Sequence, residues 1–153
     1  MNAATVEVSF EKNRLKACFP FSPRESLKIL QAMCLELRKL VPGFQAFIKC
    51  HFVTNAQMED MNKSFTGAPG PTNTLAFETG KADGFLLPAQ IFFSVPQYSL
   101  EHLIYAQEPK LYAICLMAHA MSHLAGFEHG AEMDAVSPKL ESRGLKEMKR
   151  LAC

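Results

Sequence analysis

The stretch Ala118–His129, AHAMSHLAGFEH, contains three of the five histidines of this 153-residue chain. Its spacing is H-x-x-x-H-x-x-G-x-x-H. Residues four apart on a helix project from the same face, so His119 and His123 should lie one above the other. Gly126 is a typical position for a helix end, because glycine adopts the left-handed conformation at little cost. The turn predicted there can bring His129 back toward the other two histidines.

This histidine arrangement predicts a metal site. A histidine pair four apart is by itself commonly a helix surface or a core pair, but the glycine and the third histidine favour a metal centre. Three imidazoles that converge from one side leave a fourth position open, which is the ligand count of a catalytic zinc site. The spacing matches the long zinc signature of metzincin peptidases, except that Ala120 replaces their catalytic glutamate. We therefore predict one zinc ion per chain, bound by His119, His123 and His129.

The composition is that of a globular protein with a real core. Hydrophobic residues make up 48% of the chain, which argues against disorder, and the net charge of +1 gives no overall attraction to nucleic acid. No apolar run reaches the length of a transmembrane helix, and the N-terminus lacks a signal-peptide layout. The five cysteines are scattered, without a C-x-x-C pair, as is typical of reduced thiols. We predict a cytoplasmic protein without membrane contact, with residues 1–153 forming one domain.

Strand and helix signals alternate through the first half of the chain. The alternating segment TVEVSF near the N-terminus and residues 46–53 are typical of strands. Between them, residues 22–25 (SPRE) have a capping-box layout, and hydrophobic residues at steps of three and four predict an amphipathic helix up to Pro42. A short helix capped by Asn55 is predicted next. Its inward-facing side chains are expected to be Met58, Met61 and Phe65.

The second half is predominantly helical. Residues 73–78 and 90–95 read as two further strands, and Pro96 is expected to end the second. Helix signals return at 98–106. A long helix from Pro109 to Ala125 then carries the first two histidines of the motif. The buried stripe of this helix is expected to include Leu111, Cys115 and Ala118.

The order of these elements predicts the fold class. A last helix is expected to open at Ser137-Pro138, which gives the order β-α-β-α-β-β-α-α-α. Several strands before a helical C-terminal half favour the α+β class. We predict a single domain with a small mixed β-sheet of about four strands packed with about five helices. The metal site is expected at the end of a buried helix.

A second distinctive stretch lies upstream, at residues 61–66 (MNKSFT) and 71–77 (PTNTLAF). Taken alone, it predicts a helix end and a turn formed by Thr72 and Asn73. Together with the histidine motif it resembles the bacterial YbeY family, a group of metal-dependent endoribonucleases that mature rRNA. That family has the patterns L-N-x-x-Y-R, P-T-D-V-L-S-F and H-G-x-L-H-L-x-G-Y-D-H. This chain matches the last pattern at all three histidines, at Leu124 and at Gly126.

The chain departs from the family patterns at several polar positions. The family Arg, Asp and Ser are replaced by Thr66, Asn73 and Ala76. Gln90 stands in place of the Asp of a G-D-I segment, and Ala120 replaces a glycine. We expect each lost charge or hydroxyl to reduce catalysis or to change the substrate. The cations that could substitute for the missing Arg are Lys63 and Lys49.

The resemblance implies a zinc-dependent, single-strand-specific endoribonuclease that acts in rRNA maturation, at the 3′ end of 16S rRNA, and in ribosome quality control. Its partners would be RNA, the small ribosomal subunit and assembly factors. Zinc held by three imidazoles lowers the pKa of a bound water to about 7, which suits phosphodiester hydrolysis. Glu128 is the candidate general base or the acceptor that orients a histidine. Thr72 and Asn73 are candidate substrate contacts.

Two other functions stay open at the level of the sequence. A metallopeptidase is supported by the histidine spacing alone and lacks the expected glutamate at position 120. A non-catalytic ribosome-assembly protein that keeps zinc for stability is supported by the changes at Thr66, Asn73 and Gln90. A basic groove with an open metal position would favour the nuclease. A filled fourth position or an acidic rim would favour the non-catalytic role.

Overall fold

The computed structural model describes residues 5–44, 47–70, 72–78, 81–82, 85–86 and 88–153. The strands are Thr5–Phe10 (β1), Phe47–Val53 (β2), Thr74–Phe77 (β3), Lys81–Ala82 (β4), Phe85–Leu86 (β5) and Ala89–Ser94 (β6). The helices are Arg14–Cys18 (α1), Pro23–Leu40 (α2), Asn55–Thr66 (α3), Val95–Ile104 (α4), Pro109–Leu124 (α5) and Ala131–Leu151 (α6). Ala46, predicted to begin a strand, and Pro71, part of the upstream motif, lie outside the described residues.

The four longer strands form one mixed sheet in the order β1-β2-β6-β3. β1, β2 and β6 are parallel, and β3 pairs antiparallel with β6. β4 and β5 form a separate two-stranded ribbon. The mixed four-stranded sheet packed with helices confirms the predicted α+β class. The described part of the chain contains six helices, one more than predicted. The additional helix is α1, whose five residues are too few to show a helical hydrophobic period in the sequence.

The main core lies between one face of the sheet and helices α2, α5 and α6. β2 and β6 are the central strands, and their inward side chains, among them Ile48, Phe52 and Ile91, are fully buried. Helix α2 begins with the predicted capping box. The Ser22 hydroxyl accepts from the Glu25 N–H at 3.1 Å, while the Ser22 N–H donates to the Glu25 carboxylate at 2.7 Å. This cap fixes the start of a helix whose apolar face covers the sheet.

Helix α5 lies in the middle of the helical layer. It is hydrophobic on nearly all sides, as expected of a helix surrounded by other elements. It contacts β3, α2 and α6. Its buried side chains are Ala113, Ile114, Leu116, Met117, Ala118, Ala120, Met121, Ser122 and Leu124. The end of this buried helix is therefore a rigid platform for functional side chains.

Several predicted helix details are wrong. Helix α6 begins at Ala131, and Pro138 lies inside it instead of opening it. The burial of Met133 and Val136 in the first turns stabilises this earlier start. Tertiary packing therefore outweighs the tendency of proline to occur at the beginning of a helix and to be avoided in its interior. Helix α4 likewise begins at Val95, so Pro96 lies in its first turn. Proline is well tolerated there because the first N–H groups of a helix have no intrahelical partner.

Three side-chain placements also differ from the predictions. In α5, Leu111 is 48% exposed and Cys115 is exposed, because the buried face contains the neighbouring Ile114 instead. Phe65 is 62% exposed at the end of α3, where its ring lies 4.8 Å from that of Phe77.

The cap of α3 is Thr54, not Asn55, since the Thr54 hydroxyl accepts from the Gln57 N–H at 3.3 Å. The Asn55 side chain instead accepts a hydrogen bond from the Ser94 hydroxyl at 2.6 Å, which ties the start of α3 to the end of β6. Among the described residues, no helix combines the length and the hydrophobicity required to cross a bilayer.

Candidate metal centre

The histidine motif lies where α5 ends. The Phe127 N–H donates to the Ser122 carbonyl at 3.2 Å, and the Gly126 N–H donates to the His123 carbonyl at 3.0 Å. This pair of bonds is a Schellman cap, which requires a left-handed residue at the position of Gly126. Gly126 has a φ of +90°, as predicted from its place in the sequence. The cap reverses the chain and directs the following residues toward His129.

The reversal brings the three histidines together. Their closest ligand nitrogens all lie within 4.8 Å of one another, and this group could hold a metal ion. Nε2 of His119 lies 3.2 Å from Nε2 of His123, and the ring of His129 is centred 5.1 Å from each of the other two rings. Two nitrogens bound to a tetrahedral zinc at 2.0–2.1 Å would be about 3.3 Å apart. The His119–His123 pair therefore has the spacing of two ligands of one ion, and His129 lies close enough to be the third.

A backbone carbonyl orients the imidazole ring of His123. Nδ1 of His123 lies 3.0 Å from the Phe127 carbonyl oxygen, which can only accept, so Nδ1 carries the proton. Nε2 of His123 is then unprotonated and faces the other histidines. This hydrogen bond is the kind of outer contact that fixes tautomer and ring angle in metal sites.

The surroundings favour the neutral imidazole of His119. Burial is the main cause that lowers its pKa, and the nearby His123 and His129 lower it further. A metal binds the neutral form of histidine, so a lowered pKa reduces the competition from protons.

A hydroxyl pair anchors the end of α5 beside His123. The Ser122 hydroxyl is buried and donates to the Ala118 carbonyl at 2.8 Å. It also lies 2.9 Å from the Ser137 hydroxyl of α6. The end of α5 that carries His123 is thus tied to the next helix by a direct polar contact.

The histidines open into a cleft of about 440 Å³. Its opposite wall is formed by β3 and the residues around it. Among the predicted catalytic residues, Thr72, Asn73 and Glu128 all line this cleft. Glu78, which the sequence patterns do not indicate, lines it as well. The full lining is Thr72, Asn73, Thr74, Leu75, Ala76, Glu78, His119, His123, Phe127, Glu128 and His129.

The other candidates lie elsewhere. Lys49 and Lys63 do not line the cleft, so neither replaces the missing Arg there. Thr66 closes the end of α3, where its hydroxyl lies 2.7 Å from the carbonyl oxygen and from the side-chain oxygen of Asn62. Gln90 lies on the sheet, where its side-chain oxygen is 3.1 Å from Nε2 of His51.

The charge of the cleft is acidic. Two carboxylates, Glu78 and Glu128, line it, whereas the described lining residues include no Lys or Arg. Two features distinguish the nuclease from the non-catalytic assembly protein, and the structure supports one function by each feature. Only three protein ligands converge among the described residues, which favours the nuclease, and the rim is acidic, which favours the non-catalytic role.

Comparison with known proteins decides the family. The family model described as Endoribonuclease YbeY matches residues 15–149. This chain belongs to the YbeY family. A YbeY endoribonuclease from Lawsonia intracellularis is 32% identical over 115 residues, which cover 75% of this chain and 80% of the relative. One from Oleidesulfovibrio alaskensis is 26% identical over 145 residues, or 80% of this chain and 82% of the relative.

The fold agrees with this assignment. A solution structure of a protein from Thermotoga maritima superposes with a TM-score of 0.61 at 16% identity, covering 95% of this chain and 93% of the other. The resemblance inferred from the histidine and upstream motifs is confirmed, as is membership of a family of hydrolytic enzymes. Membership of an endoribonuclease family counts against the metallopeptidase alternative.

The Schellman cap provides a first test of the site. Gly126→Ala places a side chain at φ +90°, which should lower the free energy of unfolding by about 1–2 kcal/mol and displace the chain before His129. Gly67→Ala is the matched control, because Gly67 caps α3 with a φ of +73° outside the cleft. Urea unfolding should show a loss in both variants, while zinc titration should show weaker binding in Gly126→Ala alone. Equal zinc affinities would mean that the cap does not position His129.

Proposed function

We propose that this chain is a zinc-dependent endoribonuclease that cleaves single-stranded RNA during rRNA maturation, with residues 1–153 acting as one hydrolase domain. The observation that carries this proposal is the convergence of His119, His123 and His129 at an open cleft in a member of the YbeY family. Following the family resemblance, the proposed substrate is the 3′ end of 16S rRNA. The proposed setting is the cytoplasm, in ribosome quality control.

The histidines and their neighbours in the cleft have distinct proposed roles. His119, His123 and His129 hold the ion in their neutral forms, and the Phe127 carbonyl fixes the ring of His123. A bound zinc would supply a Lewis acid for the phosphate and would make water acidic enough to react near neutral pH. Attack by water or by a ribose 2′-hydroxyl requires a proton acceptor, and the carboxylate of Glu128 is the proposed base.

RNA binding is proposed to depend on a partner. The phosphate backbone is normally bound by Lys and Arg, and the described cleft lining supplies neither while adding two carboxylates. Thr72 and Asn73 can offer hydroxyl and amide contacts to a strand that another surface holds in place. The small ribosomal subunit and its assembly factors would present the RNA. We therefore expect slow cleavage of free RNA by the isolated chain.

The acidic rim also supports a second candidate function. Glu78 and Glu128 repel phosphate at the edge of the histidine site, as expected if zinc only stabilises the fold. In this case the chain would assist ribosome assembly without cutting RNA. The two functions differ in whether the zinc-bound protein cleaves RNA.

Removal and return of the metal tests the proposal. Purified protein with quantified metal is incubated with a single-stranded 16S rRNA 3′ fragment, before chelation, after chelation and after zinc is restored. The relative from Lawsonia intracellularis serves as the parallel control. We expect one zinc per chain and cleavage that is lost on chelation and regained with zinc. One zinc per chain without cleavage, while the relative cuts the fragment, would favour the assembly role.

A further inference from the structure

A carboxylate on α4 reaches the wall of the metal cleft. Glu101 accepts hydrogen bonds from three side chains. The Asn73 amide nitrogen donates to Oε2 at 3.1 Å and the Tyr112 hydroxyl donates to Oε2 at 2.6 Å. The Gln97 amide nitrogen donates to Oε1 at 3.0 Å. Of these donors, only Asn73 also lines the cleft.

The charge of Glu101 determines which way the Asn73 amide faces. An ionised carboxylate only accepts hydrogen bonds, so Asn73 must turn its NH₂ group toward Glu101. The opposite orientation would set the amide oxygen against the carboxylate. The carbonyl oxygen of Asn73 is bonded to the same carbon as the NH₂ group, so it points away from Glu101. The side chain of Asn73 is half-buried, which further limits its freedom.

The other partners keep Glu101 in place. Burial is the main cause that raises the pKa of Tyr112 well above its ordinary value, and the hydrogen bond to Glu101 raises it further. The Tyr112 hydroxyl therefore stays protonated and remains a donor. Gln97 holds the second oxygen from one turn earlier on the same helix. Tyr112 and Gln97 thus hold the Glu101 carboxylate in place independently of Asn73.

We propose that Glu101 is a positioning residue that holds Asn73 with its carbonyl oxygen toward the cleft, where this oxygen accepts a hydrogen bond from the RNA. The proposal rests on the proposed endoribonuclease function, and it specifies the chemical group by which the RNA strand contacts Asn73. That group is a donor, either a ribose 2′-hydroxyl or a base amino group. Asn73 would then give the RNA a polar contact in a cleft whose described lining contains no Lys or Arg.

The geometry makes Asn73 and Glu101 a matched pair. Asn73→Asp would place two carboxylates about 3 Å apart, and such a pair resists double ionisation. The double variant Asn73→Asp with Glu101→Gln would restore the hydrogen bond with reversed polarity. It would also leave one carboxylate oxygen of residue 73 as the acceptor toward the cleft. Thr72→Asp is the control, because it adds a carboxylate to the same wall at a residue that is not hydrogen-bonded to Glu101.

The test is a double-variant cycle with two readouts. At pH 7, Asn73→Asp should lower the melting temperature by roughly 3 °C or more, and adding Glu101→Gln should recover most of this loss. In RNA cleavage, Asn73→Asp and Glu101→Gln should each lower kcat/KM by about tenfold with unchanged zinc content, whereas the double variant should regain activity. Glu101→Gln should not rescue Thr72→Asp.

Binding to matched strands identifies the donor. RNA and DNA of one sequence are titrated against the wild type and Asn73→Leu. A ribose donor predicts that Asn73→Leu weakens RNA binding only, and a base donor predicts equal weakening of both. No weakening of either would overturn the proposed RNA contact.

The outcomes separate this inference from the proposed function. Cleavage by the wild type, together with additive melting shifts or a double variant that stays inactive, would overturn the role of Glu101 and leave the nuclease intact. If the protein never cuts RNA, but Glu101→Gln still restores the melting temperature lost in Asn73→Asp, the Glu101–Asn73 contact is supported and the nuclease proposal fails.

Discussion

His123→Ala is expected to lower zinc affinity and RNA cleavage by more than about 100-fold. Losing an outer contact to a metal ligand already costs about 10–100-fold, so losing a ligand should cost more. His123 is the central member of the group, with Nε2 3.2 Å from that of His119 and Nδ1 bonded to the Phe127 carbonyl. The variant should fold, because alanine is compatible with the end of a helix.

Zinc content by mass spectrometry of the native protein and cleavage of a single-stranded rRNA fragment measure this loss. His102→Ala is the control, since His102 lies on α4 outside the cleft. We expect the control to keep its zinc and its activity. Retention of one tightly bound zinc by His123→Ala would exclude the three-histidine site as the metal centre.

Phe52→Ala is expected to lower the free energy of unfolding by about 3–5 kcal/mol. Phe52 is fully buried in β2. Its ring centre lies 4.4 Å from that of Phe10, 4.6 Å from that of Phe19 and 5.2 Å from that of Phe93. Truncation leaves a cavity in an aromatic cluster that joins β1, β2 and β6. The surrounding rings are too rigid to fill it.

Urea unfolding followed by circular dichroism measures this effect. Leu103→Ala is the control, because Leu103 is 71% exposed on α4 and its loss should change stability by less than about 0.5 kcal/mol. A loss below about 1 kcal/mol in Phe52→Ala would mean that the cluster rearranges around the smaller side chain.

The departures from the family patterns have different structural consequences. Thr66 lies at the end of α3, where its hydroxyl contacts Asn62, and it does not line the cleft. Asn73 lines the cleft and donates a hydrogen bond to Glu101. Ala120 is fully buried on the core side of α5. Of these three positions, position 73 is therefore the one expected to affect substrate recognition most directly.

The sequence alone determined the features that depend on near neighbours. The spacing of His119, His123 and Gly126 sets a helix face and its end, because both follow from bonds between residues four or five apart. The capping box at Ser22 is likewise a local hydrogen-bond pattern. For the same reason, the family motif and the convergence of the histidines could be predicted before the fold was known.

Only the tertiary structure decided what faces the histidines. β3 enters the sheet antiparallel beside β6, and this pairing sets Asn73 and Glu78 across the cleft from α5. Glu101 reaches Asn73 over a separation of 28 residues. The start of α6 at Ala131 also depends on side chains that pack from other elements. Such contacts join distant parts of the chain through packing and strand pairing, so no local pattern in the sequence encodes them.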